Sequence, residues 1–141
     1  MTHIQQVHDV VARTLWGEAR GEGIAGQIAV AWVIRNRVHD ANRRSWWGEG
    51  YIGVCHKPWQ FSCWNPDDPN YPCVSGARPI AQAQWAQALM VAEQVIAGGT
   101  ADPTDGATHY HALRLPRPPA WTAGATCTLV LGGHAFFKDV P

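Results

Sequence analysis

The sequence predicts a mainly helical α+β domain that carries a small β element near its C-terminus. Apolar residues recur at helical spacing over 3–15, 24–38 and 79–97, and the short stretches 107–113 and 128–137 are typical of strands. The chain has 141 residues, a usual length for one domain with its own core. We therefore expect all of it to form a single domain.

The three predicted helices are bounded in different ways. Gly17 is expected to interrupt the first helix, whose apolar side chains recur at three- and four-residue steps: Ile4, Val7, Val11 and Leu15. The second helix is apolar around most of its circumference between 28 and 34, so it should be the central buried helix. The third has Pro79 in its first turn and is stopped by Gly98 and Gly99.

The segment 40–78 shows little periodicity and is rich in aromatic residues. It holds four of the eight tryptophans: Trp46, Trp47, Trp59 and Trp64. A loop indole either packs against its own domain or offers a flat apolar face to a ligand such as a sugar ring. The sequence leaves both interpretations open.

Three of the four cysteines lie in the same segment, and their spacing matches no standard zinc motif. Free thiols, one disulfide among Cys55, Cys63 and Cys73, and a zinc site that adds His56 all stay open. Cys127 stands apart from the other three in the sequence.

Composition excludes several partners. Eleven basic residues balance eleven acidic ones, and no basic block is present, so nucleic acid is not expected as a ligand. No stretch approaches the ~20 apolar residues that a membrane helix needs, so we expect no membrane insertion. The first eleven residues do not resemble a signal peptide, which predicts synthesis in a cytoplasm. We expect a monomer.

Four glutamates are available for acid–base chemistry: Glu18, Glu22, Glu49 and Glu93. Glu18 follows an apolar helix, where its side chain can point into a cleft. An apolar surround favours the protonated carboxyl that a general acid needs. From spacing alone, however, Glu18 also fits a simple helix terminus.

Four ordered motifs resemble those of the SleB-type cell-wall hydrolases, which include spore cortex-lytic enzymes and phage lysins. They are WGEARGEG at 16–23 with its continuation to 38, GVCHKPWQFSCWN at 53–65, DPTDGATHY at 102–110 and GGHAFF at 132–137. The resemblance implies a lysozyme-like fold with Glu18 as catalytic acid. It also implies cleavage of the β-1,4 bond between N-acetylmuramic acid and N-acetylglucosamine of bacterial peptidoglycan, with no cofactor and no metal.

The same resemblance leaves two reactions open. A hydrolytic muramidase needs a second carboxylate, whereas a lytic transglycosylase closes a 1,6-anhydro ring and needs none. Glu22 fits a solvated helix start, and Asp102 and Asp105 fit turn formers, so the sequence favours the transglycosylase.

Six residues within these motifs are predicted to bind substrate: Gln60, Ser62, Trp64, Thr108, Tyr110 and His134. Tyr110 is the preferred polar partner near the scissile bond, and His134 is either a structural hydrogen-bonding residue or part of the cleft. Two positions, Asp105 and Gly133, depart from the family pattern, which weakens the transfer of roles to their loops. A phage endolysin that reaches the wall after release is the predicted setting.

Two rival interpretations belong to other classes. A metal-dependent amidase would use His109, His111 and His134, with Asp102 as a further ligand. A peptidoglycan-binding module without catalysis would use the tryptophans alone. Neither is supported by a longer motif.

Overall fold

The protein was analysed as a computed structural model that describes residues 1–40 and 43–141. Its elements follow the order helices, then sheet, as predicted. The helices are α1 (His3–Ala19), α2 (Gly23–Val38), α3 (Arg44–Trp47), α4 (Gly50–His56), α5 (Tyr71–Val74) and α6 (Gln82–Ile96). The strands are β1 (His109–Ala112), β2 (Thr126–Leu131) and β3 (His134–Lys138), and two 3-10 helices lie at Ser62–Trp64 and Ala120–Thr122.

The core lies where α1, α2 and α6 pack together and against α4. Leu15 of α1, Ile34 of α2 and Val91 of α6 are completely buried there. The expectation that α2 is the central helix is confirmed, because Ala29, Val30 and their neighbours are buried along most of its length. Within the described residues, no helix is both long and apolar enough to pass through a membrane.

Helix α1 corrects one prediction. A capping box between Thr2 and Gln5 begins the helix, but Gly17 does not interrupt it and the helix continues to Ala19. A glycine in a helix costs about 1 kcal/mol relative to alanine. Burial of Trp16 and Ala19 on either side of Gly17 offsets that cost.

The segment 40–78 is also more ordered than its lack of periodicity suggested. Residues 41 and 42 lie outside the described residues, but three short helices and a 3-10 helix follow them. Each has seven residues or fewer, too few turns to produce a readable helical period. The third long helix begins at Gln82, three residues later than Pro79.

The β element is a three-stranded antiparallel sheet in the order β1-β3-β2. Tyr110 pairs with Phe136 across β1 and β3, and a register shift interrupts the β2–β3 pairing between Cys127 and Leu129. Strands β2 and β3 pair on either side of the turn at 132–133, which confirms the predicted hairpin. Phe136 is completely buried and joins the sheet to the helical core.

Candidate active site

A cavity of about 430 Å³ lies between the C-terminal end of α1 and the sheet. One wall is helical and carries Glu18, and the other is formed by β1, β3 and the chain that follows β1. The residues that line it are Gly17, Glu18, Ser62, Asp68, Asn70, Tyr110, His111, Ala112, Arg114, Leu115, Pro119, Trp121 and His134. The two walls are in direct contact where Tyr110 of the sheet wall hydrogen-bonds to Glu18 of the helical wall.

Glu18 is partly buried in the last turn of α1, where its carboxylate accepts a hydrogen bond from a tyrosine. The hydroxyl of Tyr110 donates to Oε1 of Glu18 at 2.8 Å. Burial raises the pKa of Tyr110 well above its ordinary value, and the charge of Glu18 adds to the rise. Tyr110 therefore stays a protonated donor at any pH near neutral.

Gly17 lets the 3-10 helix approach α1 closely enough to complete the cavity. A Cβ atom at Gly17 would lie 2.5 Å from Cβ and 2.7 Å from Sγ of Cys63. Any larger residue at 17 would push the two elements apart. The contact brings Ser62 to the rim of the cavity and places the Cys63 thiol beside Glu18. Burial, reinforced by the charge of Glu18, raises the pKa of Cys63.

The loop before α5 is fastened to the same end of α1. Asn70 donates from Nδ2 to the Gly17 carbonyl at 3.3 Å, and Nη2 of Arg20 donates to Oδ1 of Asn70 at 3.0 Å. The Arg20 guanidinium also lies 4.1 Å from the ring centre of Trp16. Arg20 is thus engaged with this loop and this ring, and the loop brings Asp68 into the cavity lining.

Glu22 holds the β2–β3 turn against the corner between α1 and α2. Its Oε2 accepts the Gly133 backbone N–H at 3.0 Å, and its Oε1 lies 3.6 Å from Nδ1 of His134. Burial lowers the pKa of His134, so its ring is neutral at neutral pH and the approach is not an ion pair. Glu22 does stand at the start of a helix, as the N-cap of α2, but it is not simply solvated because its carboxylate is occupied by the turn.

Arg37 lies beneath the sheet wall as a buried cation. Its Nε donates to the Thr108 carbonyl at 2.7 Å, and its guanidinium packs over the rings of Trp47 and Phe61. Burial lowers the pKa of Arg37 to about 10, which still leaves it charged at neutral pH. Arg37 thereby fixes the residue that precedes β1.

Three of the predicted substrate-binding residues line the cavity together with Glu18: Ser62, Tyr110 and His134. The other three lie elsewhere. Gln60 accepts a hydrogen bond from Arg37 at 3.4 Å, and the Thr108 hydroxyl lies 2.9 Å from Nδ1 of His109. The role of all six in binding substrate stays a prediction.

Trp64 illustrates how a loop tryptophan serves packing. Its Nε1 donates to the Thr14 hydroxyl at 2.9 Å, and its ring meets that of His56 edge to face at 4.5 Å. Trp47 is 2% exposed and donates to Asp40. Of the four loop tryptophans, these two pack, whereas Trp46 and Trp59 are exposed.

The structure adds cavity residues that the sequence did not single out, including Asp68, Asn70, Arg114 and Trp121. Trp121 contacts His109 and His111, which lie on the face of β1 opposite Tyr110. The acidic pair at 67–68, one residue beyond the middle motif, is the signal in the sequence that could have identified Asp68. No sequence pattern marks Trp121, which belongs to none of the four motifs.

The histidines do not assemble into a metal site. Among residues 1–40 and 43–141, no group of three or more His, Cys, Asp or Glu side chains is arranged to hold a metal ion. His111 stacks on Phe137, and Asp102 instead accepts hydrogen bonds from Thr104, Gly106 and Asn36, as expected of a turn former. Cys55, Cys63, Cys73 and Cys127 are all free thiols.

The domain has the lysozyme-like fold, in which the last turn of the first helix carries a glutamate at a cleft that a small antiparallel sheet closes on the other side. Two solved structures share it. The catalytic domain of the germination-specific lytic transglycosylase SleB from Bacillus anthracis matches with a TM-score of 0.71 and 28% identity, over 95% of each chain. The catalytic domain of the Bacillus cereus SleB protein matches with a TM-score of 0.67 and 25% identity, over 95% of this chain and 91% of that one.

The sequence profile of the Cell Wall Hydrolase family matches residues 21–137. The chain therefore belongs to the Cell Wall Hydrolase family, as its motifs predicted. A comparison with curated proteins finds no match. Because the profile match begins after Glu18, the role of that residue depends on its motif and on the geometry of the cavity.

Proposed function

We propose that this cell-wall hydrolase is a lytic transglycosylase that cleaves the β-1,4 bond between N-acetylmuramic acid and N-acetylglucosamine in peptidoglycan. The observation that carries the proposal is the Glu18 carboxyl, which lies in the cavity with one oxygen held by Tyr110 at 2.8 Å. The reaction class is carried over from the Bacillus anthracis structure, which is described as a lytic transglycosylase.

The first step uses Glu18 as an acid. Protonated Glu18 donates its proton to the bridging oxygen while the bond from that oxygen to C1 of the muramic acid breaks. The ring gains positive charge at C1, and the N-acetyl oxygen of the same sugar can stabilise it. The leaving chain departs with a free hydroxyl.

The second step returns the proton. Glu18, now a carboxylate, removes the proton of the muramic acid 6-hydroxyl while that oxygen bonds to C1 and closes the 1,6-anhydro ring. One glycosidic bond is broken and one intramolecular bond is formed, so no water is consumed and Glu18 is regenerated. Tyr110 supports both steps, because its hydrogen bond to Oε1 fixes the direction in which the Glu18 carboxyl points.

A hydrolytic muramidase is the second candidate, and Asp68 is the observation that favours it. In a hydrolase with two carboxylates, the second one acts as nucleophile or activates a water. Asp68 lines the same cavity as Glu18, although its Oδ1 also accepts the backbone N–H of Asn70 at 2.8 Å. That hydrogen bond gives Asp68 a structural role that does not require it to take part in catalysis.

Mass spectrometry of the fragments released from purified peptidoglycan separates the two reactions. We expect 1,6-anhydro-muropeptides from the wild type and at least a ~100-fold lower rate from Glu18→Gln, the scale on which general acids contribute. Asp68→Asn should keep the anhydro product. Glu93→Gln, at an exposed position on α6, is the matched control for loss of a carboxylate.

Three outcomes would contradict the proposal. Reducing-end products that disappear in Asp68→Asn would establish the muramidase. Stem peptides released from the glycan strand would indicate an amidase, and an active Glu18→Gln would remove Glu18 from the mechanism.

The predicted setting, a monomeric phage endolysin that is made in a cytoplasm and acts on the wall after release, stays a prediction. Co-expression with a holin tests it. We expect lysis of the culture only when both proteins are present, and lysis without the holin would contradict it. Sedimentation analysis tests whether the protein is a monomer in solution.

A further inference from the structure

Trp59 occupies a backbone conformation that a tryptophan rarely adopts. It stands in the tight turn after α4, where the Gln60 N–H donates to the Lys57 carbonyl at 3.2 Å. Its φ of 68° lies in the left-handed region. A turn with proline in its second position, here Pro58, and a left-handed residue in its third normally has glycine or asparagine there, because a Cβ atom crowds the backbone.

Packing in the folded domain offsets little of that steric cost. Trp59 is 81% exposed, so its indole buries hardly any apolar surface. Trp46 is a useful contrast, because it is 51% exposed but stacks on Trp47 at 5.6 Å and has Arg43 over its ring at 4.9 Å. Residues other than glycine in left-handed backbone conformations are concentrated at active sites and ligand-binding sites.

The position of Trp59 indicates what its indole meets. Trp59 lies three residues before Ser62, which lines the cavity that holds Glu18. Three residues of extended chain reach at most about 11 Å, so the turn lies close to the rim of that cavity. A glycan strand bound across Glu18 continues past the cavity, since peptidoglycan is a polymer. The C–H faces of its sugar rings fit a flat indole.

We propose that Trp59 is an aromatic platform that binds a sugar of the peptidoglycan strand outside the cavity. This assignment rests on the proposed function. The turn holds the indole out from the domain before substrate arrives, and only its two side-chain torsions have to be ordered on binding. Trp59 contributes affinity for the polymer and takes no part in breaking the bond.

A substitution by glycine tests the proposal, because it relieves the backbone while it removes the indole. Glycine adopts positive φ readily, so Trp59→Gly should fold with an unchanged or higher thermal midpoint. With insoluble peptidoglycan as substrate, we expect KM to rise about tenfold, the scale of one aromatic stack, with kcat unchanged. Trp59→Phe should recover part of the affinity.

Binding without turnover gives a second readout. In the Glu18→Gln background, co-sedimentation with purified peptidoglycan should fall about tenfold when Trp59→Gly is added. Trp46→Ala is the matched control for loss of an exposed tryptophan and should sediment like its parent.

Each result has a definite meaning. A Trp59→Gly variant with unchanged KM and unchanged sedimentation would overturn the platform. A lower kcat at saturating peptidoglycan would also contradict it, because that result would place Trp59 in the chemistry. The transglycosylase proposal is tested by the chemical form of the products, and the platform by KM and sedimentation, so failure of the one is distinguishable from failure of the other.

Discussion

The two walls of the cavity are held in place by different forces. The helical wall is fixed by packing, because Leu15 and Ala19 are buried in the core and Gly17 touches Cys63 directly. The sheet wall is anchored in the core by Phe136 and is tied to the helices by hydrogen bonds from Tyr110 to Glu18, from Gly133 to Glu22 and from Arg37 to Thr108.

Packing energy adds up over area and has no direction, whereas each hydrogen bond fixes one angle. The helical wall therefore determines where the Glu18 backbone is, and the sheet wall determines where its carboxyl points. We expect changes in the first wall to cost mostly stability and changes in the second to cost mostly activity.

The largest effect on stability is expected from Gly17→Ala. The added Cβ would lie 2.5 Å from Cβ of Cys63, so the 3-10 helix must move. Overpacking of this kind costs about 1–3 kcal/mol of unfolding free energy, measured by urea denaturation. Gly21→Ala is the matched control, because a Cβ there meets nothing within 4 Å. Equal stability of the two variants would contradict the packing argument.

The largest effect on activity in the sheet wall is expected from Tyr110→Phe. It removes the hydrogen bond to Glu18, and hydrogen bonds to charged groups contribute about 1.5–3 kcal/mol. If the bond aims the carboxyl in the transition state, kcat falls about 10- to 100-fold. Tyr71→Phe, outside the cavity lining, controls for loss of a phenol. A Tyr110→Phe variant with full activity would show that the helical wall alone positions Glu18.

The sheet wall should also make the fold sensitive to acid. Burial, and then the charges of Arg37 and Arg43, lower the pKa of His109 to about 4, compared with about 6.5 in an unfolded chain. The unfolded chain therefore takes up a proton first as the pH falls. The stability that depends on a neutral His109 is fully present above about pH 6.5 and is lost as the pH falls from about 6.5 to about 4.

For a partly exposed ring, this loss amounts to about 1–2 kcal/mol. Burial lowers the pKa of His134 as well, which adds to the effect in the same direction. Urea denaturation between pH 7 and pH 4 measures the slope. His109→Gln should flatten it, and a slope that His109→Gln leaves unchanged would assign the acid sensitivity to other groups.

The smallest effect is expected where Glu22 holds the β2–β3 turn. Glu22→Ala removes the acceptor for the Gly133 N–H and should cost about 1 kcal/mol, since the contact is partly exposed. The rate should fall only a few-fold, because Tyr110 still reaches Glu18. Glu22→Gln keeps an acceptor oxygen and should recover most of the loss. An alanine variant as stable as the wild type would mean that the strand pairing alone holds this turn.

The elements long enough to repeat their apolar pattern several times could be predicted from the sequence. Helices α2 and α6 each repeat their pattern over four turns, and the 132–133 turn follows from its two glycines. The extension of α1 could not, because it depends on burial of Trp16 and Ala19 against residues that lie far away in the sequence. Local propensity favours a break at glycine, and tertiary packing overrides it.

The site was predictable only where a motif carried it. Glu18 and Tyr110 come from separate motifs and meet at 2.8 Å. Loops bring Asp68 and Trp121 to the cavity, and no pattern in the sequence predicts the path of those loops. The loop tryptophans show the same limit: Trp47 finds Asp40 and Arg37 as partners and is buried, whereas Trp59 is left in solvent.

The free thiols give the domain a built-in set of chemical reporters. Burial raises the pKa of Cys55 to about 12 and also raises that of Cys63, so neither offers a thiolate to an alkylating reagent at neutral pH. Cys127, exposed on the edge strand β2, and the half-buried Cys73 take up a maleimide label first, and neither lines the cavity. After that label is in place, any slow modification of Cys63 measures how often the 3-10 helix separates from α1. The end of α1 that carries Glu18 can thus be followed in the resting protein without a substrate.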